Sequence, residues 1–172
     1  MKKHLVRILS IFLVCLVLVG CGKKQQQEEK EKIADDEVIL ENIKYKLDQD
    51  DTGYGISYKV ASNFRKTELI NAINYYSENI NGSTYFVIRI FHYKNKSIDY
   101  AIKDCTEGIE YTKIPDIKIN DLDYTPITFV NAVGAESTIY YHKHNKDVYA
   151  FLFASKVDIS RLEDIFLKSI VY

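Results

Sequence analysis

ESTIYYHKHNKDVYAFLFAS, residues 136–155, consists of two runs rich in apolar and aromatic residues on either side of Asn145-Lys146-Asp147. Runs of this composition are typical of strands, and the polar break between them predicts a hairpin turn. Residues 148–154 are apolar on both faces of the expected strand. A strand of this kind is covered on both faces, so we predict that other elements pack against both sides of it.

The same strand signals recur toward the N-terminus. The sequence YFVIRIFHY at residues 85–93 is apolar on both faces, and Asn81-Gly82 before it favours a hairpin because both residues tolerate positive φ. Alternating apolar residues at 43–47 and 56–60, separated by the turn sequence DDTGYG, predict a second hairpin. Further strands are predicted at residues 73–78, 116–120 and 124–129.

Two segments have apolar residues at helical spacing. The first follows Ser97 and ends near Gly108, and the second closes the chain, where Ser160 and Glu163 predict a capping box. The apolar stripes are Ile98, Ala101, Ile102, Cys105 and Ile109 in the first segment, and Ile159, Leu162, Ile165, Phe166 and Ile170 in the second. We therefore predict an α+β fold, a single antiparallel β-sheet with helices on its faces.

Residues 1–20 have the pattern of a lipoprotein signal peptide. Three basic residues precede an apolar run of about a dozen residues, which is too short to span a bilayer stably. The sequence LVGC at residues 18–21 resembles the lipobox of bacterial lipoproteins. This resemblance implies removal of residues 1–20 and a diacylglyceryl group on the thiol of Cys21, which anchors the chain to the cell membrane on its extracytoplasmic face.

The composition after Cys21 divides the remaining chain into a tether and a domain. Residues 21–37 are polar and highly charged, which predicts a flexible tether with an r.m.s. reach of about 20 Å. Residues 38–172 have enough apolar sequence for a single α+β globular domain. Cys15 leaves with the signal peptide and Cys21 carries lipid, so Cys105 is the remaining cysteine and no disulfide is expected.

Charge and amino-acid usage indicate the class of partner and the type of host. The signal peptide holds three of the 23 basic residues and none of the 24 acidic ones, so the mature chain has 20 against 24 and a formal charge of −4. This balance argues against a nucleic-acid partner. Lys is far more frequent than Arg, and Ile, Asn and Tyr are abundant. Such usage, together with the lipobox, indicates a low-GC Gram-positive bacterium.

The order of predicted elements also carries a resemblance. Hairpins, an intervening helix, further strands and a final helix with the sequence LEDIFLKSI at residues 162–170 are similar to the PsbP-like α/β/α sandwich of small, uncharacterised lipoproteins. This resemblance implies an accessory or binding role, without a common active site.

The strongest metal candidates are His142, His144 and Asp147. On a strand, the spacing of two places both imidazoles on one face, and Asp147 follows just after the turn. Only His92 and scattered carboxylates remain to complete a coordination shell. The alternative interpretation is that these residues are polar side chains exposed at the tip of a hairpin and bind no metal.

Other motifs are incomplete. Asp48-Gln-Asp50-Asp-Thr-Gly53 resembles the start of a calcium-binding EF-hand loop, but Lys59 stands where the closing glutamate is needed. Cys105 lies on a predicted buried stripe, which indicates packing. Ser57 lies in a sequence that lacks the second glycine of a nucleophile elbow. The 14 tyrosines fit either half-buried strand positions or a surface for a carbohydrate or protein partner.

These observations favour a membrane-anchored extracytoplasmic lipoprotein. We expect a non-catalytic binding or accessory domain for an envelope component or a small ligand, with no cofactor. The alternatives are a cell-surface hydrolase whose catalytic residues the sequence does not identify, and a weakly metal-binding lipoprotein that uses His142 and His144.

Overall fold

A computed structural model of the protein describes residues 33–40, 42–51, 54–80 and 83–172. The lipobox, Cys21 and most of the predicted tether lie outside these residues. Residues 33–172 form one compact unit. No helix in this described part of the chain is long and apolar enough to cross a bilayer.

The described residues are mostly strand, with two short helices. The strands are β1 (Glu37–Leu40), β2 (Ile43–Asp51), β3 (Ser57–Ala61), β4 (Arg65–Glu68), β5 (Ala72–Ile80), β6 (Ser83–Tyr93), β7 (Thr112–Lys113), β8 (Ile117–Ile119), β9 (Leu122–Val130), β10 (Glu136–His144) and β11 (Asp147–Ser155). The helices are α1 (Ile98–Cys105) and α2 (Ser160–Lys168).

Eight strands form a large antiparallel sheet, which includes the predicted hairpin of β10 and β11. Its order is β4-β5-β6-β11-β10-β9-β7, and β8 pairs with β9 outside this path. The hairpin of β10 and β11 is in register from His144 opposite Asp147 to Glu136 opposite Ser155. Asn145 has a φ of 56°, the left-handed geometry that asparagine tolerates in a tight turn. Two other predicted hairpins are also confirmed: that of β5 and β6, the strands on either side of Asn81-Gly82, and that of β2 and β3.

A second sheet, of three strands, contradicts the single-sheet prediction. Its order is β1-β2-β3, and it packs with α2 against one face of the large sheet. The predicted α+β fold with a single sheet and helices on its faces, which the PsbP-like resemblance also implied, is therefore wrong: the described residues are mostly β, in two sheets with two short helices. The reason is that alternation shows which side chains of a strand are buried, whereas it does not show whether the strand extends a sheet or covers one.

The other face of the large sheet is covered by α1. Ala101 and Ile102 pack against Ile127, Ile139 and other residues of the sheet. Ser97 caps the helix as predicted, because its side chain accepts a hydrogen bond from the backbone N–H of Tyr100 at 3.1 Å. One layer on each side thus covers the doubly apolar strands β6 and β11.

The predicted capping box of α2 is wrong. Ile159 is the N-cap residue and provides no side-chain hydrogen bond. The carboxylate of Asp158 accepts from the N–H of Ser160 at 2.9 Å, and Glu163 accepts instead from the hydroxyl of Tyr140 on β10 at 3.0 Å. Because α2 packs on the large sheet, the carboxylate of Glu163 contacts Tyr140 instead of the backbone at the start of its own helix.

Glu163 makes stability depend on pH. Burial raises its pKa to about 6, although the hydrogen bond from the Tyr140 hydroxyl lowers this pKa. The folded protein therefore binds more protons than the unfolded chain between about pH 4.5 and 6. The contribution of this group to stability is fully present below that window and is lost as the pH rises through 6.

We expect Glu163→Gln to raise the free energy of unfolding at pH 7 by about 1–2 kcal/mol, with no gain at pH 4. The Gln side-chain oxygen still accepts from Tyr140, whereas the desolvated charge is removed. Urea titrations from pH 4 to 8 measure the effect. Asp164→Asn is the matched control, since its side chain is 53% exposed on the same helix. An unchanged pH slope in the Glu163 variant would show that this carboxyl does not control it.

Candidate functional site

The structure separates the predicted metal ligands. His142 and His144 share one face of β10, as their spacing predicts, with ring centroids 6.4 Å apart. Asp147 belongs to another contact: its carboxylate lies 2.8 Å from His92 Nε2 and accepts from the backbone N–H of Asn95 at 2.9 Å. The hydrogen bond from Asn95 lowers the pKa of Asp147 most, and the contact with His92 lowers it further.

The two histidines of β10 take part in aromatic packing. Burial lowers the pKa of His142, so its ring is neutral at pH 7, and its Nδ1–H donates to the carbonyl of Asp123 at 2.8 Å. The ring of His144 stacks on Tyr172 with centroids 4.3 Å apart. Within the described ranges, no three His, Cys, Asp or Glu residues form a group that could hold a metal ion. The hypothesis therefore depends on two ligands.

Thr52 and Gly53 of the calcium hypothesis lie outside the described residues, and Asp50 has partners within the domain. Asp50 accepts from the hydroxyl of Tyr75 at 2.6 Å and lies 3.4 Å from the ammonium group of Lys66. The hydroxyl of Tyr75 is in turn hydrogen-bonded to that of the buried Tyr58. Strand β3 follows, where an EF-hand needs a helix. Asp50 thus accepts the hydrogen bond at the end of a chain of tyrosine hydroxyl groups.

Cys105 and Ser57 have structural contacts. The thiol of Cys105 lies 3.0 Å from the hydroxyl of Tyr93, which donates to Asp104 at 2.9 Å. Burial raises the pKa of this thiol, so it is protonated at neutral pH. The backbone of Ser57 exchanges two 2.9 Å hydrogen bonds with Val171. Both residues therefore contribute to packing and pairing.

An open groove of about 970 Å³ lies at the β9 side of the large sheet. We call it the edge groove. Residues 108–112 form one wall, and residues 128–132 with 136–138 form the other. These walls are the segment that joins α1 to β7 and the adjoining ends of β9 and β10.

Local chemistry shapes both walls. Gly108 has a φ of 74° just after α1, a geometry that glycine adopts without strain and that turns the chain away from the helix. On the other wall, the side chain of Asn131 accepts from the N–H groups of Val133 and Ala135 at 3.0 and 2.9 Å. These bonds hold the β9–β10 connection in a defined loop.

The edge groove combines apolar side chains with negative charge. Val130 is 65% exposed and Tyr111 is 40% exposed, and the partly buried ring of Phe129 also lines the groove. Its two ionisable carboxyl groups are those of Glu110 and Glu136, and the lining contains no Lys, Arg or His. A surface of this kind suits a ligand with apolar parts and positive charge.

Sequence reasoning missed this groove. Its apolar residues lie at the end of a strand and in a connecting segment, where they follow no period. The available signals were Gly108 and the sequence Asn131-Ala-Val-Gly134, which mark the chain reversals at its walls. Nothing in the linear pattern shows that these two reversals meet in space.

Two smaller cavities include ion pairs among their lining residues. One, of about 460 Å³, lies between α2 and the small sheet. There Lys168 pairs with Asp164 at 2.8 Å, and Arg161 donates to the carbonyls of Ala34 and Glu37. The other, of about 280 Å³, includes Asp50 and its partner Lys66.

No protein-family model and no curated protein matches this chain. Among solved structures, a crystal structure from Bacteroides thetaiotaomicron has a TM-score of 0.44 at 14% sequence identity. The similarity covers 67% of this chain and 44% of the other, so this chain spans less than half the length of that protein.

Proposed function

We propose that this protein is a lipid-anchored, extracytoplasmic binding domain that holds an envelope component in the edge groove and performs no catalysis. The observation that carries the proposal is the groove itself, which exposes Val130 and Tyr111 beside the carboxylates of Glu110 and Glu136. Exposed apolar patches in a concave surface mark interaction sites.

The membrane anchor supports the same conclusion. The lipobox-like sequence before Cys21 and the polar tether after it restrict the domain to partners near the membrane surface. Tethering raises the effective concentration of such partners, so a shallow groove with modest intrinsic affinity is sufficient. An open groove at a sheet edge also accommodates a polymer or a protein segment that continues beyond the walls on both sides.

Site-specific photo-crosslinking in intact cells tests the proposal. We expect a photoreactive amino acid at position 130 to give discrete adducts in the membrane fraction, because Val130 lines the groove. Asp121, 99% exposed at the β8–β9 turn, is the control position outside the lining. Equal adduct patterns at both positions, or none at position 130, would contradict a ligand in the groove.

A further inference from the structure

We propose that the edge groove binds an extended, basic polypeptide segment that pairs with the end of β9 as an additional strand. This inference rests on the proposed function, because it specifies the ligand class of the same groove. Three features carry it: an unpaired strand edge, an exposed apolar side chain on that edge, and the sign of the charge around it.

The strand edge is open at the end of β9. Strand β7 pairs with β9 at Ile127 and Thr128, and the N–H of Ile114 after it donates to the carbonyl of Pro126 at 3.1 Å. Residues 108–111, which precede β7, lie along the far wall of the groove. Among the described residues, Phe129 and Val130 therefore have a strand partner on the β10 side alone. Pro126 accepts from the β7 side and Asn131 donates toward β10, and neighbouring residues of a strand direct their backbone groups to opposite sides. Val130 therefore directs its N–H and C=O toward the groove, where an incoming strand forms main-chain hydrogen bonds.

The opposite edge of the same sheet has the features that prevent such pairing. Strand β4 reads Arg-Lys-Thr-Glu, and its charged residues have local contacts. Arg65 lies over the ring of Tyr76 at 5.0 Å, and Lys66 pairs with both Asp50 and Glu68. Charges on a short edge strand discourage strand addition. The end of β9 instead presents an exposed valine within a groove, which favours it.

The charge of the groove indicates which segment fits. Glu136 is directly opposite Val130 across β9 and β10, and Glu110 lies on the other wall. Because the lining contains no basic side chain, an acidic segment meets repulsion there, whereas Lys or Arg in the bound segment meets two carboxylates. Apolar side chains at alternate positions of that segment contact Val130.

Selection from a phage-displayed library of random nine-residue peptides tests the inference. The target is the full-length lipidated protein in detergent micelles. We expect enriched peptides to alternate apolar residues with Lys or Arg, and to slow amide hydrogen exchange at Val130 when bound. Enrichment of acidic peptides, or of none, would overturn the inference.

Variants and modified peptides then test the mode of binding. We expect Val130→Lys and the double variant Glu110→Gln/Glu136→Gln each to weaken the best enriched peptide at least about tenfold. Val133→Lys is the matched control, because Val133 is 66% exposed on the adjoining loop but does not line the groove. N-methylation of the peptide backbone at alternate residues should also weaken binding about tenfold in one of the two registers.

The outcomes separate this inference from the proposed function. If position 130 crosslinks a glycan or lipid and no peptide is enriched, the groove is a binding site but the peptide ligand is wrong. If peptides bind and N-methylation in either register has no effect, strand pairing is wrong. If neither crosslinking nor selection identifies the groove, both proposals fail.

Discussion

Replacement of Phe166 by Ala is expected to lower the free energy of unfolding by about 3–5 kcal/mol. Phe166 is fully buried in α2. Its ring centroid lies 4.7 Å from that of Tyr58 in the small sheet, and 5.7 and 5.4 Å from those of Phe151 and Phe153 in the large sheet. The substitution therefore opens a cavity where a helix and both sheets meet, and three rigid elements cannot easily collapse to fill it.

Urea unfolding of the purified protein, followed by circular dichroism, measures this loss. The midpoint should fall while the denaturant slope stays unchanged, because the same surface is exposed on unfolding. Asp164→Ala is the control on the same helix, since Asp164 forms an exposed pair with Lys168 and its loss should cost under about 0.5 kcal/mol. Similar losses in the two variants would show that α2 does not join the sheets.

Replacement of Cys21 by Ala is expected to abolish lipid attachment. The diacylglyceryl group needs the thiol as its acceptor, so incorporation of a labelled fatty acid should fall to background. The domain should then be released, or the precursor should persist with residues 1–20 and a correspondingly higher mass. Without two acyl chains, stable anchoring through this position is lost. Fatty-acid labelling with mass spectrometry of the membrane fraction measures the result.

Cys15→Ala is the matched control for this prediction. Cys15 lies in the apolar run of the same signal segment, six residues before Cys21. The control variant should be processed and labelled like the unaltered protein. Normal processing and labelling of the Cys21 variant would instead show that the LVGC sequence is not a lipobox.

Local sequence predicted the long strands well and the short ones poorly. Residues 136–155 contain both apolar runs and their turn, so the β10–β11 hairpin could be derived from composition alone. The unpredicted strands β1, β4 and β7 have two to four residues each. Such a segment is too short to establish an alternating pattern, and its pairing depends on a neighbour that is already in place.

The candidate sites show the same division. Spacing predicted that His142 and His144 share a face, and they do. The partner of Asp147 could not be predicted, because His92 is 55 residues away and reaches it only through the pairing of β6 with β11. Likewise, Glu163 had a plausible local role at the helix N-terminus, and contact with Tyr140 replaced it.

The sequence by itself determined where the long strands, their turns and the two helices form, since hydrophobic period and turn chemistry act over a few neighbouring residues. It also carries the lipobox-like signal before Cys21. The tertiary structure decided that the β2–β3 hairpin joins a separate three-stranded sheet, and that the segments around Gly108 and Val130 meet to form the edge groove. These outcomes depend on how whole faces pack across the core, which no local pattern records.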